Sequence, residues 1–377
     1  MRIALISPFP PLKGGIARFS SQLMPALEEA GCEVLPVPFR KLYPRWILKG
    51  RPAADPGQPD GQPSPFRLDL MNPLSWLATA RDLRHRQPDL LLVAYWTGLL
   101  APFCKVLRVV TGKRVVVLLH NFASHEKLPA ERLLQRLLLS SADGFITLSE
   151  SVRQSVAASG TSKPVKSLFH PVYESRGPLP SKHEAREGLG LPMDAKVLLF
   201  FGYVRRYKGL DVLLEAMAVA RRKDPALRLL VAGEFISEAG RFRADLDRLG
   251  LAGSVDLLPG YVPADRIAPL FAAADAVVLP YRSATQSGVV PLAFGLGVPV
   301  IACDAGALST QVAHGRNGWI VGRPGPEALA EGILEFFRCR EGMPLQEGLE
   351  EARRATSWQA FASEVSSFLE SVRRRAA

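Results

Sequence analysis

A basic loop between a predicted strand and a predicted helix is the part of this sequence with the clearest chemistry. The apolar run Val197–Phe201 ends at Gly202. Arg205 and Lys208 follow, and Gly209 then opens an amphipathic segment. Backbone N–H groups and the dipole at a helix start favour negative charge, and charge-assisted hydrogen bonds to phosphate are strong. The pattern predicts a diphosphate site, with Lys208 on a surface loop. The alternative is an ordinary loop between a strand and a helix, with Arg and Lys side chains in solvent.

A second segment, residues 275–303, repeats the order of strand, loop and helix. Apolar residues 276–279 lead into a polar loop over 281–288, and a small-residue helix precedes the next predicted strand, 300–303. Small residues let a backbone approach a ligand closely, and Gly288 has conformations closed to other residues. This loop is therefore a second candidate for ligand contact.

Residues 196–322, which contain both segments, resemble the donor half of the retaining glycosyltransferases of family 4, which have the GT-B fold. Lys208 and the two flanking glycines match the family's Gly-Arg and Lys-Gly spacing, but Tyr203 stands at the family's Arg position and Arg205 comes two residues later. The resemblance implies that the donor diphosphate of a sugar nucleotide is bound by Gly14, Gly15, Arg205, Lys208, Gly288 and Val289.

The second segment departs from the family pattern at two carboxylates. The family has two Glu residues eight positions apart, one on the donor sugar and one on the ribose. The aligned positions here are about Ala284 and Leu292, and no Glu lies between Glu238 and Glu327. The Ala-Thr-Gln-Ser-Gly sequence at 284–288 is similar to that of a bacterial branch of the family. In the absence of these carboxylates, the residues predicted to bind the donor nucleoside and sugar are Gly233, Glu234, Tyr261, Val262, Gln286 and Ser287.

The first half of the chain begins as a βαβ unit. The predicted strand Ile3–Ile6 is followed by the Gly14-Gly15 loop, a helix and a second strand, Glu33–Val37. The chain has no Gly-x-Gly-x-x-Gly dinucleotide fingerprint, which argues against a dehydrogenase.

His120 directly follows the apolar run Val115–Leu119, which places it at the C-terminal end of a predicted strand. The resemblance implies that His120 contacts the donor sugar and is the catalytic residue; a structural His bonded to backbone is the alternative. We also predict that Asn121, His125 and Glu126 bind the acceptor, although His125 and Glu126 could instead cap the next helix.

Strands and helices alternate along both halves of the sequence, which indicates parallel sheets of the α/β class. Ligands of such sheets bind beyond the C-terminal ends of the strands. The resemblance to family 4 implies that this α/β architecture is the GT-B fold, with two doubly wound Rossmann-like domains facing across a cleft. The predicted parts are an acceptor-binding domain over 1–173, a hinge over 174–195, a donor-binding domain over 196–355 and a C-terminal helix over 356–377 that crosses back.

Composition fits a folded protein without a membrane span. The 377 residues are 47% hydrophobic, and the four cysteines show no metal-ligand spacing, so they are expected to be reduced. The longest apolar run, Leu90–Cys104, is too short to span a bilayer. Met1 leads directly into a strand, so no signal peptide is expected. These features predict a cytoplasmic location.

Positive charge is concentrated in the first half of the chain. Residues 1–172 contain 22 Lys and Arg against 12 Asp and Glu, whereas residues 173–377 contain 25 against 24. This asymmetry indicates an anionic partner such as a membrane surface or a phosphorylated acceptor; no nucleic-acid motif accompanies it. Segments 40–51 and 81–86, with Trp46, Leu48 and Trp76 in or near them, predict peripheral contact with the inner face of an anionic membrane. A basic surface without specific function is the alternative.

The resemblance implies transfer of a sugar, with retained configuration, from a nucleoside-diphosphate sugar to a glycan or lipid-linked acceptor in cell-envelope polysaccharide or glycolipid synthesis. No Asp-x-Asp motif lies at a strand end, so we predict a metal-independent reaction without a cofactor, in which cations and a helix start stabilise the leaving diphosphate. Two alternatives stay open: a catalytically weak relative that acts in binding or assembly, and another GT-B activity, such as a sugar-nucleotide epimerase or an inverting transferase.

Overall fold

The chain forms two compact units, Met1–His170 with Ser357–Ala377 and Pro171–Thr356. The structure is a computed structural model, and the residues it describes are 1–12, 14–43, 66–122, 131–173, 177–235, 239–284 and 287–375. Within these residues each unit is built on a parallel sheet, of seven strands in the first unit and six in the second. The α/β class predicted from the alternation of elements is confirmed.

The first unit is a doubly wound sheet. Its strands are β1 (Arg2–Ser7), β2 (Glu33–Lys41), β3 (Leu68–Asp69), β4 (Leu90–Tyr95), β5 (Arg114–Leu119), β6 (Gly144–Thr147) and β7 (Val165–Ser167). Its helices before residue 170 are α1 (Gly15–Glu29), α2 (Pro73–Arg86), α3 (Ala101–Thr111), α4 (Glu131–Ser141) and α5 (Glu150–Ala157). The strand order is β3-β2-β1-β4-β5-β6-β7, so the direction of winding reverses between β1 and β4.

The central strands of this sheet are mostly apolar because both of their faces are covered. All six residues of β4 are buried, as expected for a parallel strand between two helical layers. In β1, Ile3 and Leu5 pack into a cluster with α1, whereas Ala4 and Ile6 pack into the opposite cluster with α2 and α3. Successive side chains point to opposite faces, which is why the run Ile3–Ile6 in the middle of β1 contains no polar residue.

The second unit repeats this plan. Its strands are β8 (Lys196–Phe201), β9 (Leu227–Gly233), β10 (Val255–Pro259), β11 (Ala276–Leu279), β12 (Val300–Cys303) and β13 (Gly318–Val321). Its helices are α6 (Lys182–Gly188), α7 (Leu210–Lys223), α8 (Ala239–Arg248), α9 (Ala264–Ala273), α10 (Val289–Gly295), α11 (Leu308–Gln311), α12 (Pro326–Cys339) and α13 (Leu345–Ala355). The strand order is β10-β9-β8-β11-β12-β13, so the winding reverses between β8 and β11.

A buried carboxylate joins several elements at the N-terminal ends of these strands. Asp275 accepts hydrogen bonds from Lys182 Nζ (2.5 Å), Arg186 Nη2 (2.8 Å) and Arg340 Nη1 (2.8 Å). The backbone N–H of Val197 donates to the same carboxylate at 2.7 Å. Helix α6, which lies in the segment predicted as a hinge, is thereby attached to β8 and β11 and belongs to the second unit.

The C-terminal helix α14 (Trp358–Arg374) belongs to the first unit. The Ser357 hydroxyl caps its start by accepting from the Ala360 N–H at 3.2 Å. Trp358 then packs on α1, with its ring centroid 4.9 Å from that of Phe19. The chain therefore leaves the first unit after His170 and returns to it at residue 357.

Two properties expected from composition can be compared with the described residues. All four cysteines are free, and three are buried, in agreement with the reduced state predicted for them. Within the described ranges, no helix combines the length and the apolar character needed to cross a membrane.

Candidate functional site

The two loops singled out in the second half leave neighbouring strands of the second sheet. β8 pairs with β9 on one side and with β11 on the other, at the point where the winding reverses. In doubly wound sheets, ligands bind beyond the C-terminal ends of the strands at this reversal. Residues 202–209 follow β8 and residues 280–288 follow β11, so both loops start at this position.

Gly202 marks the place where the two loops meet. Its backbone φ of +100° lies in a region that residues other than glycine rarely adopt. A Cβ atom added there would lie 3.2 Å from Lys208 Nζ and 3.9 Å from Val289 Cγ2. The structure therefore brings Lys208 and Val289, which are 81 positions apart in the sequence, to the same glycine.

Lys208 is buried, and its predicted position on a surface loop is wrong. The residue is 8% exposed, and its ammonium lies 5.4 Å from the centre of the Tyr281 ring, which covers it. Burial lowers the pKa of Lys208; the neighbouring Tyr207 opposes this shift and the Arg205 charge adds to it. Over the described ranges no carboxylate forms an ion pair with Lys208. A buried ammonium without a counter-charge is costly, so the site is suited to an anion.

Gly209 fixes the backbone between Lys208 and helix α7. Its φ of +71° is left-handed, and a Cβ atom there would clash with the carbonyl oxygen of Pro280. The glycine thus allows the two loops to touch through their backbones. Arg205, on the other side of Lys208, is half-buried.

The start of helix α10 contributes backbone groups to the same region. Ser287 is buried, and its hydroxyl accepts from the Val289 N–H at 3.3 Å. Burial raises the pKa of Tyr281, and a hydrogen bond between its side chain and that of Ser287 opposes that shift. Gly288 is exposed at the helix start. Gln286 lies outside the described residues.

The candidates for nucleoside and sugar contact follow the adjacent strands. Gly233 is the last residue of β9, and its carbonyl accepts from the Gly260 N–H at 3.0 Å, just before Tyr261 and Val262. The Glu234 carbonyl accepts from the Val204 N–H at 2.9 Å, which connects it to the loop after β8. These positions therefore continue the row of strand ends next to Lys208.

The two positions aligned with the family's carboxylates are both occupied by buried apolar side chains. Ala284 and Leu292 are 7% and 6% exposed and belong to the apolar core of the second unit. The Ala284 carbonyl accepts from the Ala307 N–H at 2.9 Å. Neither position supplies a polar side chain that could bind a sugar or a ribose.

His120 lies at the C-terminal end of β5 in the first unit. Its backbone N–H donates to the Tyr95 carbonyl at 2.8 Å, and its ring lies perpendicular to that of Phe19 at a centroid distance of 4.9 Å. Burial, and secondarily the nearby His170, lower the pKa of His120 to about 3. The imidazole is therefore neutral at physiological pH and can take part in hydrogen bonds without carrying charge.

The remaining first-unit candidates are only partly described. Gly14 precedes α1 with a φ of +120°, and Gly15 is the exposed first residue of that helix. Asn121 is half-buried, with its N–H 3.4 Å from the Tyr95 carbonyl. His125 and Glu126 lie outside the described residues. In the parts of the chain with described coordinates, no three His, Cys, Asp or Glu residues come together as metal ligands.

Tyr281, Arg282 and Asp211 are site residues to which the sequence assigned no role. Tyr281 covers Lys208, and Arg282 binds both Asp211 and the loop that carries Lys208. The sequence signal is a Tyr-Arg pair directly after a buried strand, together with an Asp in the first turn after Gly209. The Tyr-Arg pair and the Asp are each common features of a sequence when taken alone. They come together here because β8 pairs with β11.

Comparison with known proteins agrees with this division of the chain. Residues 14–171 match the family described as "Glycosyl transferase 4-like domain". Residues 195–338 match the family described as "Glycosyl transferases group 1". In sequence and architecture the chain is therefore of the GT-B glycosyltransferase type, with the first domain in the first unit and the second domain in the second.

Curated relatives match over part of their length. A D-inositol 3-phosphate glycosyltransferase of Segniliparus rotundus is 35% identical over 187 residues, which are 48% of this chain and 41% of that protein. A second protein of that name, from Catenulispora acidiphila, is 38% identical over 167 residues, which are 41% of this chain and 38% of the relative. The match thus spans about two fifths of each relative's length.

Solved structures share the fold over nearly the whole chain. Sucrose-phosphate synthase of Thermosynechococcus elongatus superposes with a TM-score of 0.76 at 21% identity, covering 99% of both chains. The Anabaena protein HepE, solved with UDP-glucose, superposes with a TM-score of 0.74 at 18% identity, covering 98% of this chain and 100% of that one. At these identities the likeness shows the GT-B fold.

Proposed function

We propose that this protein is a glycosyltransferase that binds a nucleoside-diphosphate sugar at the C-terminal ends of β8 and β11. The observation that carries the proposal is Lys208, a buried ammonium that pairs with no carboxylate among the described residues and lies beside Gly202 and Val289. A donor diphosphate would supply the missing negative charge. The match to two glycosyltransferase domain families, and the UDP-glucose complex of the HepE neighbour, support this assignment.

The chemistry we infer is electrostatic. As the bond from the sugar to the diphosphate breaks, negative charge grows on the leaving phosphate oxygen. Lys208, Arg205 and the backbone N–H groups at Gly288 and Val289 would stabilise that charge from fixed positions, which is the most effective form of such catalysis. The developing charge falls on the nucleotide, so the residues that bind the donor also accelerate its cleavage.

The first unit would act on the sugar and the acceptor. In this proposal neutral His120 hydrogen-bonds the transferred sugar, and the leaving phosphate takes the proton of the acceptor hydroxyl. The new bond then forms on the face that the diphosphate leaves, so the anomeric configuration is retained. No metal ion is required in this scheme, because protein cations neutralise the diphosphate.

The acceptor we propose first is a glycan or lipid-linked intermediate of cell-envelope synthesis. A second candidate is a small phosphorylated polyol, because the partial relatives are named D-inositol 3-phosphate glycosyltransferases and the first half of the chain carries the basic excess. Purified protein supplied with a labelled sugar nucleotide and either acceptor class distinguishes these two.

A nucleotide screen tests the proposal before any acceptor is known. Thermal unfolding is followed with UDP, GDP and ADP, because a ligand at a hundredfold its dissociation constant stabilises the fold by about 2.7 kcal/mol. We expect one nucleotide to raise the melting temperature, and its sugar derivative to be consumed when acceptor is added. Proton NMR of the product then gives its anomeric configuration. If nucleotide binds but no sugar is consumed or altered with any acceptor, the protein is a binding relative; consumption to an isomer of the sugar nucleotide indicates an epimerase.

A further inference from the structure

Arg282 connects the loop after β11 to the loop that carries Lys208. Its backbone N–H donates to the Tyr207 carbonyl at 2.8 Å. Its guanidinium donates to the Arg206 carbonyl at 2.8 Å and to both carboxylate oxygens of Asp211, at 2.8 and 2.9 Å. One side chain and its own amide therefore make four hydrogen bonds to the neighbouring loop and helix.

These partners lie on both sides of Lys208 in the sequence. Arg206 and Tyr207 come directly before it, and Asp211 is in the first turn of α7 after Gly209. Burial alone would raise the pKa of Asp211, but the Arg282 hydrogen bond and charge, together with backbone N–H groups at the helix start, keep it below its usual value. The carboxylate is thus ionised and bound by a planar, bidentate cation over the neutral pH range.

The pair is not placed to contribute much to global stability. The Arg282 and Asp211 side chains are 39% and 36% exposed, and exposed ion pairs contribute little because water screens them. Their geometry instead restricts one short segment. The residue before Arg282 is Tyr281, whose ring covers the Lys208 ammonium, so two consecutive residues restrict the loop backbone and the lysine side chain.

We propose that Arg282 is a positioning residue for the diphosphate site. It holds residues 205–209 in the conformation that presents Lys208 to the ligand, and it acts through Lys208 without touching the nucleotide itself. The inference rests on the proposed function, since it assumes that Lys208 binds a diphosphate. A loop held in its bound form loses less entropy when the ligand arrives, which is the general basis of preorganisation.

The test is a double-mutant cycle on nucleotide binding with the full chain. Calorimetric titrations with UDP, GDP and ADP are run on the wild type, Arg282→Ala, Lys208→Met and the double variant. We expect Arg282→Ala to weaken binding of the preferred nucleotide about tenfold, and to cause no further loss in the Lys208→Met background, because coupled residues are not additive. Arg282→Lys keeps a charge but not the fork, so it should recover part of the affinity.

The matched control is Arg316→Ala, because Arg316 binds both oxygens of Glu351 and its side chain is 48% exposed in the same unit. This variant should bind nucleotide as the wild type does. If Arg282→Ala does not fold, Asp211→Asn replaces it, since it weakens the same bidentate pair while keeping the side-chain shape.

The outcomes separate the two proposals. Wild-type affinity in Arg282→Ala, or an equal loss in both lysine backgrounds, overturns the positioning role while Lys208 keeps its own. Unchanged affinity in Lys208→Met overturns the proposed diphosphate site itself, whatever Arg282 does.

Discussion

Lys208 combines a cost to the fold with a benefit to binding. Its burial lowers the pKa of the ammonium from an ordinary value of 10.5, which means that the empty site disfavours the charge that a diphosphate would need. We predict that Lys208→Met raises the stability of the ligand-free protein by about 0.5–2 kcal/mol, the usual range for a single stabilising substitution. Chemical denaturation of both proteins without nucleotide measures this difference.

The pH dependence of stability tests whether the lowered pKa of Lys208 is the cause of this difference. The folded-state pKa of Lys208 lies below its unfolded value, so between the two values the unfolded chain binds more protons at this residue and stability rises with pH. The wild type should therefore gain stability relative to Lys208→Met as the pH increases toward 10.5. A constant difference across that range would show that the lysine titrates as it does in water.

His120 is expected to act as a neutral group. Its pKa of about 3 lies below any practical assay range, so the pH–rate profile should show no step caused by His120 between about pH 5 and 8, where an ordinary histidine titrates. His120→Ala should lower turnover about a hundredfold, the typical effect of losing one transition-state donor. Nucleotide affinity should change little. Equal losses of turnover and affinity would contradict this role.

Metal independence is a further prediction at the level of the site chemistry. Because Lys208 and Arg205 are proposed to neutralise the diphosphate, turnover with the preferred sugar nucleotide should be almost unchanged by EDTA. Loss of activity that a divalent ion restores would contradict the proposed scheme.

At the scale of elements, Asp275 connects β8, β11, helix α6 and Arg340 in the second unit. Its side chain is 3% exposed and has three cationic partners from α6 and residues 340–342. We predict that Asp275→Asn destabilises the protein by about 3–5 kcal/mol, because breaking one member of a buried ionic group leaves the others uncompensated. Asp245→Asn is the control, since among the described residues Asp245 forms an ion pair with Arg248 alone, three positions along α8.

The sign of the pH effect follows from the same contacts. Burial raises the pKa of Asp275, but the Lys182 hydrogen bond and charge, with the Val197 N–H and Arg340, hold it below its ordinary value of 3.8. Its contribution is therefore complete above that value and is lost as the pH falls through the lowered folded-state pKa. The difference between wild type and Asp275→Asn should shrink only under strongly acidic conditions.

The sequence predicted the elements better than the contacts between them. The strand predicted at Ala276–Leu279 has those bounds in the structure, because a short apolar run buried on both faces is a distinct pattern. The two-residue strand β3 was not predicted, since it is too short for any periodicity. The Arg282–Asp211 pair joins residues 71 positions apart, and no local pattern reports such a contact. The burial of Lys208 also depends on Tyr281, from a different loop.

At the scale of the whole molecule, the basic first half has a candidate membrane surface, which we call the α2–α3–α4 face. Leu74, Val109 and Leu133 are 75%, 67% and 64% exposed on these three adjacent helices. Exposed cations on the same helices are Arg81, Arg84, Lys105, Arg132 and Arg136. Apolar side chains among cations are the composition expected for peripheral binding to an anionic bilayer.

The structure changes which residues of the first half are candidates for membrane contact. Trp76, one of the three apolar residues that the sequence indicates for this contact, donates its indole N–H to the Asp69 carbonyl at 3.0 Å and packs against Phe103. Its side chain is therefore part of the core packing. Trp46 and Leu48 lie outside the described residues. Both predicted segments keep exposed cations among the described residues: Arg40 and Lys41 in the first, and Arg81 and Arg84 of α2 in the second.

Vesicle sedimentation tests the face directly. Replacing Arg81, Lys105 and Arg132 by Gln should weaken binding to phosphatidylglycerol vesicles, since each surface cation contributes about 1 kcal/mol near an anionic membrane. In the control variant, Arg153, Lys166 and Arg373 are replaced by Gln. This variant loses the same amount of charge, but from ion-paired positions on α5, β7 and α14. Equal losses in both triple variants, or a wild type that stays in the supernatant at low salt, would contradict the surface.

The most direct test of the account is nucleotide affinity with and without the buried lysine. Calorimetric titration of UDP, GDP and ADP into the wild type and Lys208→Met needs neither the acceptor nor the sugar to be known. We predict that one nucleoside diphosphate binds the wild type and that Lys208→Met loses about 1.5–3 kcal/mol of that binding free energy, the range of a charge-assisted hydrogen bond. A folded Lys208→Met variant that binds the same nucleotide with wild-type affinity would contradict the assignment of the β8–β11 site.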